Sequence, residues 1–128
     1  MAKRILSVVE TAYRGTLEEQ DDTVLWLTHM LQNGGLDQTI VLAGNAVNYA
    51  VRGQDASGLQ FGDTALAHPP QIDRDLEHLM EMGVPVYLVS EDAAARGVPG
   101  DRLIEGIKPI SRAELPGLMG GYEQVWSW

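Results

Sequence analysis

Apolar positions along the chain fall into two kinds of run. Residues 4–9 are almost continuously apolar and rich in Ile, Leu and Val, the pattern of a strand buried on both faces. Thr39-Ile40-Val41-Leu42-Ala43 and Val84-Pro85-Val86-Tyr87-Leu88-Val89 repeat that pattern. Between them the period becomes helical. Leu17, Val24, Leu27, Thr28 and Leu31 share one stripe, with Thr16 and Glu19 at capping-box spacing and Asn33-Gly34-Gly35 as the stop. Asn45 is placed to cap a short helix through Val51. Ile72, Leu76, Leu79 and Met80 mark another helix, with Asp73 and Asp75 in its first turns, where negative charge complements the helix dipole. Short helical segments are expected over 91–96 and about 101–105. Ser111 and Glu114 form a second capping box, with Pro116 limiting the helix that follows. Lys108-Pro109-Ile110 and Tyr122 to Trp128 complete the strand candidates. Residues 53–70 contain Gly53, Gly58, Gly62, Pro69 and Pro70 without a period and read as a long loop excursion. Strands alternating with helices predict a parallel sheet covered on both faces, with right-handed crossovers.

Composition narrows this picture. At 128 residues and 45% hydrophobic, the chain is expected to form a single domain over 1–128 with a sizeable core. With 18 acidic against 9 basic residues and a formal charge of −9, neither nucleic acid nor an anionic membrane surface is an expected partner. The apolar run after Met1-Ala2-Lys3-Arg4 is too short for a leader, and no stretch reaches the ~20 apolar residues of a membrane helix, so the cytoplasm is the expected compartment. The cysteine count is zero, which removes disulfides, thiolate metal sites and cysteine nucleophiles.

In an open parallel sheet, ligands bind beyond the carboxyl ends of the strands. The polar residues that follow the strands are therefore the ligand-binding candidates: Tyr13 and Arg14, then Asn45, then Ser90, Asp92 and Arg96, with His68 in the long loop. A purely structural reading stands beside this one. Asn45 and Ser90 would then be helix caps, and Arg96 would pair with Asp92 at i,i+4. Tyr13-Arg14-Gly15-Thr16 lacks both GxGxxG and the P-loop pattern. His29, His68 and His78 have no metal-helix spacing, and no GxSxG elbow supports a Ser90-His68-Asp92 triad, so no metal, cofactor or catalytic residue is assigned. Trp26 and Met30 lie i,i+4 on the first helix, with Trp26 about 200° around from both Val24 and Thr28 of the core stripe. They form a second apolar patch, read as an oligomer interface; the alternative is packing under the 53–70 loop.

The order of short segments resembles the DsrE/DsrF-like family of small intracellular sulfur-metabolism proteins across essentially the whole chain. The resemblance rests on Lys3 to Val9, Tyr13-Arg14-Gly15, Leu42 to Val47, Ala50 to Gln54, Gly83 to Val89, Ala95 to Val98, Ile104 to Ile107, Ser111 to Leu115 and Tyr122 to Trp126. It implies a three-layer α/β/α domain with a five-stranded parallel sheet. It also implies homotrimers, hexamers or hetero-hexamers of related subunits, and work in sulfur relay through a cysteine persulfide. The family's cysteine positions correspond to about Val89 and Asp92, or about Tyr122, and none of them is cysteine here. A persulfide needs a thiolate, and Val, Asp and Tyr do not replace one. The expectation is a non-catalytic, self-associating protein of this type, with a structural, regulatory or ligand-binding role linked to sulfur metabolism. The competing expectations are a cysteine-independent enzyme using the strand-end residues, and a flavodoxin-type nucleotide binder, for which the Ser/Thr-rich phosphate loop is missing.

Overall fold

The computed structural model describes residues 4–10, 23–53, 60–62, 64–65 and 72–128. Five strands form one parallel sheet: β1 (Arg4–Val9), β2 (Asp37–Leu42), β5 (Val86–Val89), β6 (Lys108–Ile110) and β7 (Gln124–Ser127). Their order across the sheet is β6-β5-β2-β1-β7. Two further strands, β3 (Gln60–Phe61) and β4 (Thr64–Ala65), make a separate antiparallel pair. The helices are α1 (Thr23–Asn33), α2 (Ile72–Glu81), α3 (Ser90–Ala95) and α4 (Leu115–Met119). A 3-10 helix, Gly44–Ala50, follows β2. This is the expected three-layer α/β/α arrangement with a five-stranded parallel sheet.

The continuous apolar runs become strands because successive side chains face opposite sides of the sheet and both sides are covered. On one side Val9, Ile40, Leu42, Val86 and Leu88 pack with Val24 and Leu25 of α1, Leu76 and Leu79 of α2, and Tyr49 of the 3-10 helix. On the other side Leu6, Val8, Val41 and Val89 meet Leu115, Leu118 and Met119. Polar residues inside the sheet are satisfied. Gln38 is 1% exposed, and its Nε2 donates to the Thr28 carbonyl at 2.8 Å, tying β2 to α1.

Several expected boundaries move. The second strand begins at Asp37 and ends at Leu42, and the third is confined to Val86–Val89. Pro85, which has no N–H, stays outside the ladder while its carbonyl accepts from Ile40 N–H at 3.0 Å. The 101–105 segment is a single 3-10 turn, Gly100–Arg102, and the excursion contains the β3–β4 pair. The Thr16 capping box lies outside the described residues. The Ser111 capping box is present: Ser111 N–H donates to Glu114 Oε1 at 3.2 Å, and Ser111 Oγ bonds the same oxygen at 3.0 Å. Asp73 does more than face the helix dipole. It is buried, and its Oδ2 accepts from Gly53 N–H at 3.0 Å.

Candidate functional site at the strand ends

Every strand of the large sheet runs in the same direction, so all five carboxyl ends lie on one rim. The rim is built where the chain leaves β2, β5 and β6. After β2 the chain turns at Gly44, whose φ of +53° suits glycine. A side chain there would bring its Cβ to 3.2 Å from the Glu10 carbonyl at the end of β1, so two strand ends come close only because this residue has none. The turn aims Gly44 N–H at Asp92, which accepts it on Oδ2 at 2.7 Å. Asp92 is buried, 7% exposed, and its other oxygen, Oδ1, is paired with the Arg112 guanidinium. Arg112 follows β6, and its backbone N–H is held by both oxygens of Glu91, at 3.0 and 2.9 Å. One carboxylate thus links the exits of β2, β5 and β6.

Arg96 lies beside this cluster. Its Nε donates to Asn45 Oδ1 at 2.8 Å and its Nη1 donates to the Asp92 backbone carbonyl at 3.3 Å. Both acceptors are neutral, and among the described residues no carboxylate forms an ion pair with Arg96. Its positive charge is held in place and left to solvent. This corrects the i,i+4 expectation: Asp92 gives Arg96 its backbone carbonyl, while its carboxylate goes to Arg112.

The other candidates fall as follows. Asn45 is exposed inside the 3-10 helix; Ala43 is the residue before that helix, so Asn45 positions Arg96 instead of capping. Ser90 is the exposed first residue of α3, with Val89 in the cap position, so it is not a cap either. Tyr13, Arg14 and His68 lie outside the described residues. A Ser90-His68-Asp92 triad would need Asp92 to orient a histidine, but both of its oxygens are engaged by Gly44 and Arg112. Tyr122, where the sequence resemblance would imply a cysteine, precedes β7 and so sits at the opposite, amino-end rim. Its hydroxyl donates to Thr39 Oγ1 at 2.8 Å and the Arg4 guanidinium covers its ring at 4.7 Å.

Arg112 was not singled out from the sequence. Applying the strand-end rule to Lys108-Pro109-Ile110 as well as to the first three strands would have found it. Trp26 and Met30 are 53% and 49% exposed on α1, so neither is packed away within the described part of the chain. No helix among the described residues is long and apolar enough to cross a membrane.

Solved structures match this fold over nearly its whole length. The ychN protein from E.coli aligns with a TM-score of 0.68 at 23% identity, covering 100% of both chains. MTH1491 from Methanobacterium thermoautotrophicum, a protein of unknown function, aligns at 0.60 and 20% identity over 98% of this chain and 99% of its own. BT1422 from Bacteroides thetaiotaomicron, a conserved protein of unknown function, aligns at 0.69 and 15% identity over 98% and 95%. No family model matches the sequence, and no curated protein does. What the chain shares with these proteins is therefore the three-layer architecture, at identities that carry a fold and no chemistry.

Proposed function

We propose that this chain is a non-catalytic, self-associating protein of DsrE/DsrF-like type that binds a small anion at its strand-end rim, in a role linked to sulfur metabolism. The observation that carries the ligand reading is Arg96, a guanidinium oriented by Asn45 Oδ1 and the Asp92 carbonyl with no carboxylate paired to it. Asn45 and Asp92 fix the orientation before the ligand arrives, so little side-chain entropy is lost on binding. Guanidinium groups bind oxyanions in fork geometry, and inorganic sulfur at the sulfite, thiosulfate and sulfate levels is anionic. Binding without covalent transfer agrees with a sequence that has no cysteine. The test is calorimetric titration of the full chain with sulfite, thiosulfate, sulfate and phosphate. Arg96→Gln is expected to weaken the preferred anion by roughly 10–100-fold, the worth of a charge-assisted hydrogen bond. Equal affinity in wild type and variant would remove Arg96 from the site.

The self-association reading rests on Trp26 and Met30, one helical turn apart and about half exposed. Large apolar residues grouped on one exposed face mark contact surfaces more often than single ones do. Light scattering at tens of micromolar is expected to give a mass of several chains, reduced by Trp26→Glu. A clean monomer in the wild type removes this reading and leaves the anion site untouched.

A further inference from the structure

A second cluster lies on the outer side of the helical layer, away from the rim. His29 of α1 and His78 of α2 are far apart in sequence, yet their rings stack with centroids 5.2 Å apart and planes inclined by 29°. They line a groove of about 190 Å³ with Asp75, Trp26, Leu25 and Leu79. Each ring has a polar neighbour on one side. Asn33 Nδ2 lies 3.2 Å from His29 Nε2, and Glu81 Oε2 lies 3.8 Å from His78 Nδ1. These contacts leave His29 Nδ1 and His78 Nε2 as the nitrogens available for a ligand.

From this we infer that the groove binds one divalent transition ion of the zinc, nickel or copper class, with His29 and His78 as its protein nitrogen ligands. Three observations support it. The first is spacing. With metal–nitrogen bonds of ~2.1 Å, two imidazoles on one tetrahedral ion hold their ring centroids about 5 Å apart. The two rings already have that separation. Nearly parallel rings do not point their lone pairs at a common atom, so each must turn about its Cβ–Cγ bond. That torsion is soft in histidine, and the backbones need not move. The second is the carboxylate behind His78. Metal-binding histidines commonly donate their second ring N–H to a carboxylate, which fixes the tautomer and raises ligand basicity. Glu81, at 3.8 Å and so beyond hydrogen-bond length here, is the carboxylate close enough to take that part once the ring turns. The third is the donor set. Imidazole suits zinc, nickel and copper, whereas calcium and magnesium take oxygen ligands. Among the described residues no group of three or more histidine, cysteine, aspartate or glutamate side chains could hold an ion. The two imidazoles are therefore the protein ligands, and water completes the shell.

Such an ion would clip α1 to α2 at the solvent side of their contact. Sequence spacing alone assigns no metal because the two histidines sit on different helices, where no i,i+4 pattern can show them. The test is titration of the full chain with Zn²⁺ and with Ni²⁺, read by calorimetry and by the thermal midpoint. The expected result is one ion per chain and a raised midpoint. His29→Asn and His78→Asn should each lower affinity by at least ~10-fold, and Glu81→Gln by less. Glu123→Gln, an exposed carboxylate just before β7, should leave binding unchanged. The metal-free midpoints of all four variants show whether each still folds; where a histidine-to-asparagine variant does not, His29→Gln or His78→Gln replaces it. Absence of binding at millimolar ion, or binding that survives loss of either His29 or His78, overturns the assignment.

Discussion

Replacing Tyr49 by alanine is expected to lower the unfolding free energy by about 3–5 kcal/mol, the usual cost of truncating a fully buried aromatic side chain. Tyr49 is 0% exposed and is the largest fully buried side chain among the described residues. It belongs to the 3-10 helix after β2, which packs between the sheet, α2 and α3, so the cavity left behind would open at a junction of three elements. A short 3-10 helix has poorer hydrogen-bond geometry than an α-helix and relies on such packing to hold its shape. Urea denaturation is the measurement. The midpoint should fall with an unchanged m-value, and Tyr49→Phe, which keeps the ring, should cost no more than ~1.5 kcal/mol. A loss under ~1 kcal/mol for the alanine variant would mean that the site collapses around the missing ring.

The second large effect is expected at Asp92. Removing its carboxylate in Asp92→Ala leaves Gly44 N–H without its acceptor and takes the counter-charge from Arg112. An unsatisfied buried donor costs about 1–3 kcal/mol. The charge contributes less than in a fully buried pair, because the Arg112 side chain is 58% exposed and screened by solvent. Together these predict a loss of about 2–3 kcal/mol. Asp92→Asn, which can still accept from Gly44, should lose only part of that. A double-mutant cycle with Arg112→Gln separates the two contributions, and a coupling energy near zero would show that the Asp92–Arg112 pair adds nothing to stability.

What could be read from the sequence follows the range of the interactions. Residues 4–9 and 86–89 were legible as buried strands because continuous Ile, Leu and Val leave few other choices. The Ser111–Glu114 box was legible because both partners lie within one turn. The candidate site was legible only in part. The strand-end rule identified Asn45, Ser90, Asp92 and Arg96, but the i,i+4 rule then paired Arg96 with the Asp92 carboxylate. The observed partner, Arg112, is brought in by β6 pairing beside β5, a contact with no local sequence mark. The His29–His78 stack was hidden for the same reason, since it depends on how α1 and α2 dock. Gly44 directly follows the second apolar run, where a glycine reads as a strand stop. Its larger role is the close approach to Glu10 and the N–H offered to Asp92, which appears only when β1 and β2 lie side by side.

The sheet order also bears on how the molecule is made. β1 pairs on one side with β2, its successor in the large sheet, and on the other with β7, the last of the sheet's strands to be synthesised. Until Gln124–Ser127 emerges, one side of β1 is an open row of unpaired N–H and C=O groups flanked by Ile5, Leu6, Val8 and Val9. Such an edge is a template for another unfinished chain. Closing it requires a contact that spans nearly the whole chain, which is slow to form. Synthesis halted just short of β7 would therefore yield a species prone to aggregation, so the four residues of the last strand guard the first against pairing with a neighbour.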